Sequence, residues 1–343
     1  MKLLIIGSDY VWSIERYYLK YIKELNPDTL LFPAQNRKLD HLNRSLWNKA
    51  VHRLGLSSVY KKINRELLAL IESYNPNWIL VFKGMEVLPE TLKKAKQKGI
   101  NLANYNPDNP FIFTGRGSGN TYIRQSLGIY DLHFTYNLEI QKQISETTGK
   151  PVVFLPFGFD LGNFDLKEIQ SLPEINKPCF LGNPDPDRAS FIKALNKKGI
   201  GLDIYGNNWS KYVSSKENSI FDAVYGIDFY KVLYRYRLQL NILRVHNLQS
   251  HNMRTFEIPA IGGIQLAPDT PEHRLFFEPE KDLFLYVSLD DCVTKIKKIL
   301  SLSKEDANKI RQSSKEKVSS SGYDYNSLAL FVYNTLKSFS PLH

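Results

Sequence analysis

The strongest constraint in this sequence is an alternation. Short, continuously apolar runs recur along the chain, and between them lie segments whose apolar residues are spaced three and four apart. KLLIIGS is the first run and ends at Gly7. A helical segment over 13–25 follows, and then the strand-like DTLLFP. SVYKKINRELLALIESY places Val59, Ile63, Leu67, Leu70, Ile71 and Tyr74 at helical spacing. NWILVFKG predicts a strand, PETLKKAKQKG a helix opened by Pro89 and closed by Gly99, and INLANYN another strand. DLHFTY and PVVFLPFG complete this series. The pattern then restarts with KPCFLGN, PDRASFIKALNKKG, IGLDIYG, DFYKVLYRYR, LQLNIL, a helix within HNMRTFEIPAIGGIQLAPD, GGIQLAP, LFLY and SLDDCVTKIKKILSL, and two further helical segments close the chain. Repeated βα units imply parallel sheets with helices on both faces. Two such runs, joined near FGFDLGNFDLKEIQSLPEINK, predict an α/β protein of two doubly wound, Rossmann-like domains facing a cleft. The expected domains are 1–158 and 172–322.

With 343 residues the chain is long enough for two cores, and 43% hydrophobic with 23% charged residues excludes a disordered chain. The net charge of +10 favours anionic partners: nucleic acid, phosphorylated substrates or an acidic lipid surface. Cys179 and Cys292 have no metal-ligand spacing and read as reduced thiols. MKLLIIGSDYVW is too short an apolar stretch for a signal peptide, and no run approaches the length of a membrane span. The expected location is the cytoplasm.

In doubly wound sheets, ligands sit beyond the carboxyl ends of the strands. That directs attention to Gly7-Ser8-Asp9, Phe82-Lys83-Gly84, Asn106-Pro107-Asp108, Gly158-Phe159-Asp160, Gly182-Asn183, Tyr205-Gly206 and 244–257. Around 251–254 the chain leaves a strand, crosses a polar loop and enters a helix. A helix start binds phosphate, and a carboxylate one turn on, Glu257, can accept two hydrogen bonds from a ribose diol. Asn252 is placed to cap and Arg254 to counter phosphate charge. Taken alone, the segment reads as well as a capping Asn with a surface Glu–Arg pair, and Pro259 requires the helix to start late or kink. In FLGNPDPDR, Gly182 and Asn183 end a strand and Arg188 opens a helix. This suits either a diphosphate gripped by Arg188 or a plain βα turn. Tyr205, Gly206 and Trp209 in IYGNNW offer an apolar shelf for a base, or a core Trp. NYNPDNPFIFTGRGSGNTYIR suits a site-lining loop with Asp108 as base or anchor and Arg116 and Arg124 nearby, or a surface loop. Gly7-Ser8-Asp9 is no Gly-x-Gly-x-x-Gly fingerprint, which speaks against a nicotinamide enzyme. His133 reads as a core histidine. His246 and His251 have no carboxylate or Cys placed to complete a metal set, so no metal is expected.

Together, LGNPDPDR…LDIYGNNW…YRYRLQLNILR…HNMRTFEIPAIGGIQLAPD…LFLYVSLDD resembles, in order and spacing, the C-terminal half of the CgeB-like, spore-maturation-type glycosyltransferases. The resemblance spans roughly residues 78–300 and is strongest over 178–290, with NPDNPF and LPFGFD as its N-terminal part. The family's Asn-x-Arg-x-Phe-Glu segment is met by Asn252, Arg254, Phe256 and Glu257. The resemblance implies the two-domain glycosyltransferase B fold, with residues 323–343 packing back on the first domain. It implies transfer of a sugar from a nucleoside-diphosphate sugar to a hydroxyl acceptor, in polysaccharide or glycoconjugate assembly. Glu257 corresponds to the acid that holds the donor's ribose hydroxyls, and His251, Asn252 and Met253 face the diphosphate and sugar. Gly182, Asn183, Arg188, Tyr205 and Gly206 complete the expected donor set. Related retaining enzymes carry a second Glu seven residues before the first; this chain has Ser250 there, which leaves retention or inversion open.

Without an Asp-x-Asp metal site, the leaving diphosphate is expected to be stabilised by Arg188, Arg254 and helix-start N–H groups. (The DPD at 185–187 reads as turn and cap.) The enzyme expected is thus a metal-independent, hexosyltransferase-type enzyme with no cofactor beyond its UDP- or GDP-sugar co-substrate. An inverting route needs a base, for which Asp9 and Asp108 are the candidates. Ser8, Arg116 and Arg124 are the candidates for acceptor contact. The acceptor is a glycan, a lipid-linked species or a protein, and the charge fits peripheral work at the inner face of an acidic membrane. Two alternatives stay open: a DNA-modifying or nucleic-acid-binding relative, and a non-catalytic sugar binder. The basic residues are scattered over helices such as LKKAKQKG and VTKIKKIL instead of forming one stripe, so nucleic acid is not the expected partner.

Overall fold

The apolar runs become parallel strands because both their faces are covered. Every residue of Leu3–Ile6 and of Trp78–Phe82 is buried. The computed structural model of the chain describes residues 1–54, 57–113, 117–162, 164–245 and 249–339. Two units result: Met1–Pro156 with Tyr325–His343, and Phe157–Asp324.

The first unit runs β1 (Leu3–Ile6), α1 (Ile14–Leu25), β2 (Thr29–Phe32), α2 (Ala34–Asn43), α3 (Leu46–Arg53), α4 (Val59–Tyr74), β3 (Trp78–Phe82), α5 (Pro89–Gln97), β4 (Asn101–Asn106), α6 (Thr121–Ser126), β5 (Leu132–Thr135), α7 (Leu138–Thr148) and β6 (Val152–Phe154). Its six strands are parallel in the order β2-β1-β3-β4-β5-β6. The order reverses between β1 and β3, so the crevice of this sheet opens there. α4 shows how the sequence builds the layer. Val59, Ile63, Leu67 and Ile71 recur every fourth residue and are all buried against Ile79, Val81 and Leu92. Asn75 ends the helix in the left-handed region, its N–H bonded to Ile71 O at 2.9 Å. Ile71→Ala would cost about 2–5 kcal/mol.

The second unit runs α8 (Leu166–Gln170), β7 (Ile175–Leu181), α9 (Pro186–Lys197), β8 (Asp203–Tyr205), β9 (Ser219–Phe221), α10 (Gly226–Arg235), β10 (Tyr236–Leu240), α11 (Arg254–Ile261), β11 (Gln265–Pro268), α12 (Pro271–Phe276), β12 (Phe284–Tyr286), α13 (Leu289–Leu300) and α14 (Lys304–Ser320). Its strands, again parallel, lie in the order β12-β11-β10-β7-β8-β9. The reversal falls between β7 and β10. The last helix, α15 (Tyr325–Ser338), belongs to the first unit, where Tyr325 stacks on Tyr17 with centroids 4.7 Å apart and meets Tyr18 edge-on.

Several elements differ from expectation. β9 is three residues long, too short to show a period. Tyr236 and Arg237 belong to β10 and not to the preceding helix. Buried Arg237 is satisfied there by Glu174, at 2.8 Å from Nε, and by Leu302 O. The joint between the two series contains α8, capped by Asp165. α11 starts late, at Arg254, and keeps Pro259 inside it. Gly262 ends that helix at φ 82°, and its carbonyl is taken by Arg311 at 2.7 Å. Cys179 and Cys292 are buried free thiols, and burial pushes Cys292 up to about 12.

Candidate functional site

The β7/β10 switch point is built from three loops. Beyond β7, Gly182 is approached by Gly206 from beyond β8. A Cβ on Gly206 would lie 2.2 Å from Gly182 O, so only glycine lets these strand ends meet. Trp209 Nε1 donates to the same carbonyl at 2.7 Å. Trp209 is fully buried in the core, which decides between the two expectations for it in favour of a core Trp. The open aromatic surface here is Tyr205, half-buried and stacked on Phe221 at 4.6 Å. The Tyr205 hydroxyl lies 3.1 Å from that of Tyr236, which donates to Asp203.

Asp185 caps α9 by accepting from Asp187 N and Arg188 N, with Pro186 in the first turn. The cap sets Arg188 across the switch point. Its Nε and Nη2 donate to Ile242 O at 3.0 and 2.8 Å, and its Nη1 to Asn183 O at 3.2 Å. Three of the five guanidinium N–H groups are thus spent on backbone, and two remain. Burial, with the neighbouring charges of Arg244 and Arg254, lowers the Arg188 pKa to about 10, and Asp185 works the other way. Asn183 is exposed, and its Oδ1 accepts from Asn207 N.

The third loop enters α11. Asn252 exchanges amide hydrogen bonds with Asn241, beyond β10, at 2.8 and 3.1 Å, and its Oδ1 accepts from Thr255 N. His251 is fully buried among Phe157, Phe256 and Phe276. Its Nε2 accepts from Phe157 N at 3.1 Å, so the proton sits on Nδ1, which donates to Glu272 at 2.5 Å. Burial holds this imidazole below its usual pKa. Ser250 also donates to Glu272. The expectation that the His251 side chain faces a diphosphate is corrected: both ring nitrogens are turned inward and it positions the loop. Met253 is half-buried just before α11.

Glu257 lies one turn into α11, with its side chain only 7% exposed, and pairs with Arg254 Nη1. Burial pushes its carboxyl above the usual range, and the Arg254 charge works the other way. Its Oε1 has no partner among the described residues. Arg254 also packs over Phe229 at 4.4 Å and donates weakly to Leu181 O at 3.4 Å. The Glu–Arg pair exists, then, but it is a buried pair beside the switch point and not a surface one.

In the first unit, the β1/β3 switch point holds a residue that the sequence reading left out. Glu15, in the first turn of α1, folds its side chain over Gly7, where a Cβ would come within 2.6 Å of its Cγ. The carboxyl is nearly buried. Desolvation raises its pKa to about 7, against the N–H groups of Glu15 and Ser8 and the charge of Lys83; Glu86 adds to the rise. Ser8 is buried and accepts from Ser13 Oγ at 2.6 Å. Asp9 is exposed, within 3.6 Å of Arg16, and its backbone N–H is held by Asn36. Lys83 adopts φ 61°, a left-handed conformation unusual for a side-chain-bearing residue, and pairs with Asp108. Asp108 is therefore ion-paired, an anchor more than a free base. Beside it, the buried Nδ2 of Asn106 has no hydrogen-bond partner. Arg124 donates to Phe111 O and lies 5.0 Å over Phe113, closing its own loop. Arg116 lies outside the described residues. His133 is a core histidine bonded to Leu127 O, with burial lowering its pKa to about 4.

Residues 188–331 match the glycosyl transferase-like family model. That segment runs from the switch-point arginine of α9 through α11 and onward. No curated protein matches the sequence. Among solved structures, the fold is similar to sucrose-phosphate synthase from Thermosynechococcus elongatus, at 10% identity and a TM-score of 0.70 over 99% of this chain and 100% of that one. It is also similar to HepE from Anabaena in complex with UDP and glucose, at 10% identity and 0.69 over 99% and 100%. For OtsA in its apo form the values are 12%, 0.65, 99% and 100%. At such identities the likeness is one of fold: the α/β glycosyltransferase B class, with two doubly wound sheets.

Within the glycosyl transferase-like segment, Arg244 was missed as a switch-point cation. Its place directly after an apolar strand was the available signal. No comparable signal marked Glu15, because its burial depends on the missing Cβ of Gly7. Among the described residues, no group of three or more His, Cys, Asp or Glu is placed to hold a metal, and no helix is long and apolar enough to cross a membrane.

Proposed function

We propose that the protein transfers a sugar from a nucleoside-diphosphate sugar to a hydroxyl acceptor. The observation that carries this reading is the β7/β10 switch point, where the charges of Arg244 and Arg254 lie close enough to Arg188 to help lower its pKa, with Glu257 one turn into α11. A diphosphate answers the surplus cations. Arg188 offers its two remaining N–H groups, and Arg244, 46% exposed and loosely paired with Asp185 at 3.8 Å, turns from that carboxylate to the phosphates. Glu257 Oε1 accepts from the ribose diol. Tyr205 and Phe221 form the apolar surface for the base. Gly182, Asn183, Gly206, Asn252 and Met253 shape the backbone around the donor, and His251 fixes the loop from beneath. As the sugar leaves, negative charge grows on the diphosphate next to these preorganised cations, which lowers the barrier without a metal. The donor is a UDP- or GDP-hexose. UDP is favoured because HepE is named in complex with UDP and glucose.

On the first unit, the Asn106 amide, Ser8, Asp9, Asp108 and Arg124 make the acceptor end. There Asp108 orients a hydroxyl and Asp9 or Glu15 takes its proton if the route inverts. The acceptor is a glycan, lipid-linked species or protein, and the surplus of cations suits work beside an acidic membrane in the cytoplasm. A thermal-shift panel of nucleoside diphosphates and their sugars tests the donor half. A bound ligand at a hundred times its Kd adds about 2.7 kcal/mol of stability. UDP or GDP should raise the melting temperature and the free nucleosides should not. A flat panel, with no donor hydrolysis, removes the reading.

A further inference from the structure

The helix α3 is built inside out. Asn48 and His52 turn toward the protein: Asn48 Nδ2 donates to His41 O at 2.8 Å, and the His52 ring lies 5.7 Å from that of Tyr60. None of the eight residues of α3 is buried. At 100° per residue Leu46, Trp47, Ala50 and Leu54 share one side, and there Leu46 is 83%, Trp47 75% and Leu54 72% exposed. A soluble helix keeps its apolar stripe for the core, so this stripe is kept for something else. Its surroundings say what. From His41 to Asn64 the sequence carries Arg44, Lys49, Arg53, Lys61 and Lys62 and no Asp or Glu. Arg37 and Lys38 of α2 pair with Glu66 and Glu86, but none of those five forms an ion pair among the described residues.

We propose that α3 is an interfacial anchor, which lays Leu46, Trp47 and Leu54 into the surface of an anionic lipid bilayer while the flanking lysines and arginines meet its headgroups. Apolar side chains and uncompensated cations together match a surface that is apolar below and negative above. A second copy of the chain fits poorly, because a two-fold contact through α3 would press the same cations against each other. The assignment rests on the proposed work beside an acidic membrane and not on sugar transfer. It can therefore fail while the donor reading stands.

The test is cosedimentation of the full chain with phosphatidylcholine vesicles, with and without phosphatidylglycerol as about one-third of the lipid. Wild type should bind the anionic vesicles and not the neutral ones, with a blue shift of tryptophan emission that Trp47→Phe abolishes. Leu46→Glu with Trp47→Glu should weaken binding at least about tenfold. Lys49→Glu with Arg53→Glu should do the same and remove the preference for anionic lipid. These residues lie outside the core, so far-ultraviolet circular dichroism and the nucleotide thermal shift should stay as in wild type. Equal binding by the Leu46/Trp47 variant and wild type overturns the assignment. So does an absence of vesicle binding, or a concentration-dependent dimer that the same variant dissociates.

Discussion

The two switch points share a geometry and differ in charge. Between β7 and β10, arginines gather, and the one acid in α11 is held by Arg254. Between β1 and β3, the chain instead folds a carboxyl over Gly7 and surrounds it with Lys83 and Glu86. The first arrangement presents fixed positive charge and suits a ligand that arrives negative. The second stores a proton near neutrality and suits a group that must lose one. Parallel sheets put both at strand ends; the side chains decide what each can do.

The largest test falls on Arg188, because it performs two tasks. Its guanidinium joins carbonyls beyond β7 and β10, so Arg188→Ala leaves Asn183 O and Ile242 O without a charged donor. Stability should fall by about 2–4 kcal/mol in denaturant unfolding, alongside nucleotide affinity. The backbone bonds tie this residue to stability as well as to turnover. An unchanged unfolding midpoint would mean that the guanidinium is not holding the switch point together.

Glu257→Gln comes next and separates ribose recognition from phosphate recognition. It keeps the shape and removes the charge, so Kd for UDP should rise by about 1.5–3 kcal/mol, roughly ten- to hundred-fold. A 2′,3′-dideoxy nucleotide should bind variant and wild type alike, because its missing diol gives Glu257 nothing to hold. If the dideoxy form loses affinity equally, Glu257 acts through Arg254 and the phosphates instead.

These two residues also show what the sequence could reveal. The α/β alternation was legible because strands such as β3 are buried on both faces and read as unbroken apolar runs. The place of Glu257 in the first turn of α11 was legible because helix spacing puts it just beyond the loop. The partners of Arg188 were not, since its bonds to Ile242 O join residues 54 apart in sequence. Trp209 stayed open between shelf and core because an aromatic after a strand fits either, and only packing distinguishes them. α2 and α3 escaped notice for a different reason: α3 buries nothing, so its apolar residues carry no core-facing period.

The smallest effect is expected at the other switch point, and its sign is the informative part. Glu15 has a folded pKa of about 7 against an ordinary 4.5. Below pH 4.5 both folded and unfolded chains carry the proton, and the residue contributes nothing to pH dependence. Between pH 4.5 and 7 the unfolded chain gives up its proton first, so stability falls as pH rises, and above 7 the whole penalty is present. Glu15→Gln has no charge to bury. At pH 8 it should be more stable than wild type by about 1–3 kcal/mol, while near pH 4 the two should converge. The same substitution probes the catalytic suggestion. If Glu15 takes the acceptor's proton, wild-type turnover rises with pH through about 7 as the carboxyl ionises, and Glu15→Gln loses that limb along with turnover. If Glu15 only shapes the Gly7–Ser8 turn, the variant gains stability and keeps its pH profile. Parallel stability curves for the two proteins from pH 4 to 8 would mean that the carboxyl titrates at its ordinary value in the folded chain, and the contrast between the two switch points would then be one of shape and not of charge.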